Sequence, residues 1–254
     1  MNPLARCFRA ERIKCRKSWA LLAALLAPAC QTGFLGMILW FSADLVRRFK
    51  PGFAFWIELN YLAWNVVFMP IVISLVSDLS WDLETESKTW NHLLLQPVPR
   101  RTHYQSKLLN HLALATLSQG LLVLLLIPVG MALRSHLGWV MGTLPPTLLI
   151  QFASFSLIAT IPMVAFHTWL SARFPGIGIA LITALSGTWL CTHFAGRTPI
   201  LQFIPWGMAS EVVAFFDRWN RHIPWELIPG SLLLTGTLAA LGTRDFARNN
   251  EPRL

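Results

Sequence analysis

The chain has 254 residues, 54% of them hydrophobic and 13% charged, with 21 Lys and Arg against 12 Asp and Glu, a net charge of +9 and a mean hydropathy of +0.51. About half the usual charge fraction, together with apolar runs near the roughly 20 residues that cross a ~30 Å hydrocarbon core, excludes a soluble globular protein and predicts an all-α, polytopic membrane protein. The excess bases form no aromatic-interleaved stripe suited to nucleic acid; they gather beside the apolar runs, where topology signals and anionic headgroups want them.

The stretch 1–18 predicts a retained cytosolic interfacial helix rather than a cleaved signal, because its basic region is long and includes Glu11. It leads into a first span over Trp19–Phe41. Five further spans are predicted at Phe53–Ser77, Leu108–Leu133, Pro146–Leu170, Gly176–Ala195 and Leu227–Thr243, making six transmembrane helices in one membrane domain, 1–254. With the N-terminus in the cytosol, fourteen Lys and Arg fall on the inner side and seven on the outer. That asymmetry predicts both termini inside. Residues 192–226 then form an external loop whose apolar stretch is broken by Pro199 and Pro205, as in a short interfacial or re-entrant helix before the last span. Cys7, Cys15, Cys30 and Cys191 are scattered with no C-x-x-C pair, and the His residues show no metal-ligand spacing. No disulfide framework and no metal site are expected.

In the second span Glu58 and Asn65 are seven apart, on one face with Tyr61 between them. Acids within a membrane are costly and tend to line functional cavities, so these three are candidate substrate-cavity residues. Glu58 also lies close enough to the outer end to reach headgroup water. In the fifth span Ala172, Gly176, Ala180, Ala184 and Thr188 recur every four residues, a period of small side chains that lets two helices approach closely.

Between the second and third spans lies SDLSWDLETESKTWNHLLLQPVPRRTHYQSKLL, Ser77–Leu109. Trp81 and Trp90 are large apolar groups that a solvated linker gains nothing by exposing. Thr85–Gln96 lacks Gly and Pro and predicts a short helix, which QPVPRR then breaks. Such a helix, held crosswise under the membrane, suits a pocket on a cytosolic partner.

The stretch ETESKTWNHLLLQPVPRRTHYQSKL resembles the first cytoplasmic loop of type-2 ABC exporter permeases, and among them those of lantibiotic-immunity transporters are the most similar. The shared pattern falls on Glu84, Glu86, Thr89, Trp90, Leu93, Pro97, Arg101 and Lys107, with the weaker matches Phe203-Ile204-Pro205-Trp206 and LGTRDFAR toward the C-terminus. The resemblance implies that 78–107 holds a coupling helix seated in a groove of a separate ATPase, two copies of which carry ATP and Mg. It further implies a second permease chain, meeting this one near Gly176, Ala180 and Ala184. A peptide-like substrate and a place in the bacterial inner membrane follow as well. No G-x-x-x-x-G-K-[ST] occurs in the chain, so no cofactor is expected on it and ATP must be bound elsewhere. Other permease cargoes, such as those of haem-biogenesis or ion and drug efflux, remain open. A membrane-embedded enzyme is disfavoured because Glu58 has no evident catalytic partner, and a plain anchor protein is the other alternative.

Overall fold

The computed structural model describes residues 2–42, 52–86, 98–137, 144–174, 176–194, 203–217, 225 and 227–248, with the side chains of 85–86 and 213–217 outside that description. Among the described residues every regular element is helical. Helix α1 (Pro3–Cys15) starts where Asn2 accepts a hydrogen bond from the Leu4 amide and Pro3 fills the first turn. Ser18 then caps α2 (Trp19–Phe41), accepting from the Leu21 amide while its hydroxyl donates to the Cys15 carbonyl. This fixes the turn between the two helices.

Next comes one long helix in three parts: α3 (Phe53–Ala63), a π-turn (Trp64–Phe68) and α4 (Met69–Glu86). Pro70 explains the interruption. It has no N–H to give to the carbonyl four residues back, and the wider turn, in which the Met69 amide bonds to Trp64, absorbs the defect. Residues 53–86 span about 50 Å at 1.5 Å per residue, well beyond the ~30 Å hydrocarbon core. The second span expected to end at Ser77 therefore continues as helix to Glu86; Thr85 and Glu86 belong to it, and the rest of the short helix expected over Thr85–Gln96 lies outside the described residues.

Helix α5 (Arg100–Leu137) is likewise overlong, and α6 (Pro146–Arg173), α7 (Ile177–Phe194), α8 (Pro205–Asp217) and α9 (Leu227–Arg248) complete the bundle. The interior lies where α4, α5 and α6 meet, with α2 and α1 against α5, α7 against α4, and α8 and α9 against α6. Trp56, Tyr61, Trp64, Leu122, Leu126, Phe152 and Met163 are fully buried, and the Trp56 indole N–H donates to the Leu126 carbonyl at 2.9 Å.

Five of these helices are long and apolar enough to cross a membrane: Trp19–Phe41, Phe53–Glu84, Arg100–Leu137, Pro146–Arg173 and Ile177–Phe194. The sixth expected span is present as the helix Leu227–Arg248 but does not join that set. Gly230, Ser231, Thr235, Gly236, Thr237, Gly242 and Thr243 dilute its leucines. Helix α8, with 13 residues, is too short to cross.

Candidate functional site

The overhanging ends of the two longest helices meet α1 in a buried charge network. Glu11 and Lys14, one turn apart on α1, face Glu84 near the end of α4 and Lys107 two turns into α5. Lys14 Nζ lies 2.9 Å from Glu11 Oε1 and 2.7 Å from Glu84 Oε1; Lys107 Nζ lies 3.2 Å from Glu11 Oε2 and 3.3 Å from Glu84 Oε1. Two acids and two bases make the cluster neutral. Lys107 is 2% exposed, and its ammonium also donates to the Ser80 carbonyl at 2.9 Å, so its three protons face three oxygens. The Trp81 ring covers it, 4.7 Å from Nζ to the centroid.

Burial alone would raise the Glu11 pKa, but Lys107 and Lys14 outweigh it and hold the carboxyl down to about 2. Lys14 moves the other way. Burial opposes its charge, yet Glu84 and Glu11 raise its pKa above the ordinary value. Beside the network Asn110 Nδ2 donates to Cys15 Sγ at 3.0 Å, tying the end of α1 to α5 a second time.

An aromatic wedge closes the same end of the bundle from the other side. Phe246 of α9 packs on Trp81 of α4 (centroids 5.4 Å) and on Tyr104 of α5 (5.8 Å). Gly242, one turn earlier, lies against the Tyr104 phenol, where any Cβ would overlap the hydroxyl oxygen. The Trp169 indole N–H of α6 donates to Asp245 Oδ2 at 3.1 Å. Both ends of the chain thus brace the two helices that enter and leave 87–97.

Of the residues expected to dock an ATPase, Glu84 and Lys107 are buried and bond to Lys14 and Glu11 of α1, while Arg101 is exposed on the first turn of α5. Glu86 ends α4, its side chain undescribed, and Thr89, Trp90, Leu93 and Pro97 lie outside the described residues.

The three expected cavity residues lie on successive turns of the same long helix. Glu58 is half-buried on α3. Tyr61 is fully buried, its ring stacked on Phe152 and its oxygen accepting from Gln119 Nε2 at 3.3 Å. Asn65 sits in the π-turn, where Oδ1 accepts from the Ser156 hydroxyl at 2.6 Å. Gln31 Nε2 reaches the Asn60 carbonyl at 2.8 Å, just before the π-turn. Tyr61 and Asn65 therefore take part in helix–helix contacts.

Ala180 and Ala184 are fully buried within the chain, where α7 meets α4 and α8, and the Gly176 amide donates to Asp78 Oδ1 at 3.3 Å. The opposite face of α7 carries Ile182 and Trp189, both about two-thirds exposed. Among the described residues no group of three or more His, Cys, Asp or Glu is placed to hold a metal ion.

Sequence reasoning missed α1 as a partner of this site. The signal was present only as Glu11, the single acid among six bases before Trp19. A family model described as ABC-2 family transporter protein matches residues 7–187, which include all four members of the charge network. Comparison with curated proteins and with solved structures gives no match.

Proposed function

The chain belongs to the ABC-2 family of transporter proteins and is a membrane permease of an ABC transporter; from that premise we propose that it works as an exporter of an amphipathic, peptide-like substrate such as an antimicrobial peptide. ATP hydrolysis takes place on two ATPase subunits, which contact the permease through 87–97. Trp90 and its neighbouring leucines anchor that contact, as buried aromatics do in other interfaces. Six spans carry the movement, with α9 as the last, both termini in the cytosol and α8 lying at the outer surface. A second permease chain meets the outward faces of α2 and α7, where Phe34, Met37, Ile182 and Trp189 are uncovered.

The observation that carries this reading is the Glu11–Lys14–Glu84–Lys107 network. It joins the two helices flanking 87–97 to each other and to α1, so a push on that segment moves α4 and α5 as one body rather than bending a loose loop. Trp90→Ala tests the proposal. The variant should insert normally but hydrolyse ATP without transport, or lose its ATPase in pull-down. Full transport together with normal pull-down would refute it. The substrate class is tested separately, by whether the complex confers resistance to amphipathic peptides on a sensitive cell.

A further inference from the structure

The face of α1 turned away from the charge network has a composition of its own. At 100° per residue, Leu4, Cys7, Phe8, Glu11, Lys14 and Cys15 fall on one side, and Arg6, Arg9, Arg12 and Arg16 on the other. Burial follows the same division except at Lys14, which lies at the edge of the inner side and is itself exposed. Glu11 and Cys15 are buried, Leu4, Cys7 and Phe8 are half-buried, and the four arginines are exposed. Glu11 is the sole acid in α1 and it points inward, so nothing on the helix neutralises the arginine face.

Two apolar residues decide what that face meets. Ile13 lies among the arginines and is 59% exposed, and Trp19, the first residue of α2, is 73% exposed. Uncovered Ile and Trp beside cationic side chains suit the boundary between headgroups and acyl chains, where amphipathic rings and helices settle. An acidic protein surface would leave both without apolar cover. Depth agrees as well. Helix α2 is apolar enough to cross a membrane and begins at Trp19, only a short turn after Cys15, which keeps α1 at the level of the phosphates. The inner face is fixed by Glu11, Lys14 and the Asn110–Cys15 bond, so the arginines are presented on a rigid element and binding has little ordering to overcome.

We propose that the outer face of α1 is a binding site for the phosphate groups of anionic phospholipids, with Arg6, Arg9, Arg12 and Arg16 as ligands and Ile13 and Trp19 seated among the upper acyl carbons. This assignment requires neither an ATPase nor a peptide substrate. Because Glu11 and Lys14 occupy the other side of the same helix, bilayer charge acts on the rigid piece that also closes the network.

The experiment is native mass spectrometry of the purified full chain in detergent, titrated with phosphatidylglycerol or phosphatidylcholine of identical acyl chains. Phosphatidylglycerol adducts should exceed phosphatidylcholine adducts by at least about tenfold, given the surface attraction of each base. The preference should vanish in the variant carrying Arg6→Gln, Arg9→Gln, Arg12→Gln and Arg16→Gln, and persist in Arg134→Gln/Arg173→Gln. Hydrogen exchange across residues 3–18 of the unaltered chain supplies a measurement that needs no variant: it should be slower in phosphatidylglycerol nanodiscs than in phosphatidylcholine ones. Equal adducts, equal exchange, or a preference that survives loss of the four arginines would each overturn the site. Loss of ATPase co-purification with lipid preference intact would assign the face to an acidic protein and overturn it too.

Discussion

Lys107→Met removes one member of a neutral cluster while keeping a side chain of similar length against Trp81. The packing loss is small and the electrostatic loss is not. At 2% exposure the lysine is out of reach of bulk water, and its ammonium faces Glu11, Glu84 and the Ser80 carbonyl within 3.3 Å. Without it two carboxylates share Lys14, whose side chain is 35% exposed and correspondingly screened. Breaking a buried pair by removing one partner costs about 3–5 kcal/mol, because a charge stays buried without compensation. For a chain of this size that is a fall in Tm on the order of 10 °C. Scanning fluorimetry of the purified protein reads it directly. The second half of the cycle is the sharper test. Adding Glu11→Gln restores neutrality, leaving Lys14 with Glu84, so Glu11→Gln/Lys107→Met should be more stable than the sum of the single losses by at least about 1 kcal/mol. A Lys107→Met variant within about 2 °C of the unaltered chain, or strictly additive single effects, would refute the electrostatic account.

The network also has a predictable response to pH. Glu11, held down to about 2, contributes stability that is fully present above its ordinary range near 4.5 and is lost as pH falls toward 2; Lys14, raised above its ordinary value, contributes until the solution becomes more alkaline than about 10.5. The difference in Tm between the unaltered chain and Glu11→Gln should hold steady from about pH 5 to 9 and shrink below about pH 4.5; a difference that stays constant down to pH 3 would count against the assignment. At Gly187, a Cβ would overlap the Trp206 indole that fixes α8 on α7. Gly187→Ala should cost about 1–3 kcal/mol by overpacking, and Trp206→Ala in the same chain should recover part of it, both read as shifts in thermal midpoint.

Much of the helical layout was legible in the residues, and its limits have physical causes. Apolar length placed α2, α6 and α7 closely, because the thickness of a bilayer is a fixed ruler, but it opened the third span at Leu108, eight residues inside α5. It set the end of the second span too early. A hydrophobic count stops at the first charges, whereas the backbone continues as helix until Glu86. Trp81 was marked as a residue needing cover, and Phe246 and Lys107 supply it. What covers it could not be read, since Phe246 belongs to the far end of the chain. The same holds for Glu84 and Lys107. Their spacing matched a family pattern, but their partners on α1, Lys14 for Glu84 and Glu11 for Lys107, lie 70 and 96 residues earlier, and no local period reports contacts of that range. The small-residue stripe of α7 showed that something packs closely there without saying what; Ala180 and Ala184 are buried inside this chain.

Why a membrane protein should keep four charges in such a place follows from what an ion network does well. Replacing it by leucines would cost little or even stabilise the fold, so strength is a poor explanation. Position is a better one. Apolar contacts between helices tolerate sliding, whereas four N–O contacts of 2.7 to 3.3 Å do not. A shift of α4 against α5 by one helical turn, about 5.4 Å, would separate Lys107 from Glu84, and because α1 can follow only one of the two helices it would also break either Lys14–Glu84 or Lys107–Glu11. Three helices are therefore held in one register, and the aromatic wedge of Trp81, Tyr104 and Phe246 adds α9 to the same block. On the export reading that stiffness is what 87–97 needs behind it: a force applied there is passed to the spans undiminished instead of being absorbed by slippage at the base of the loop.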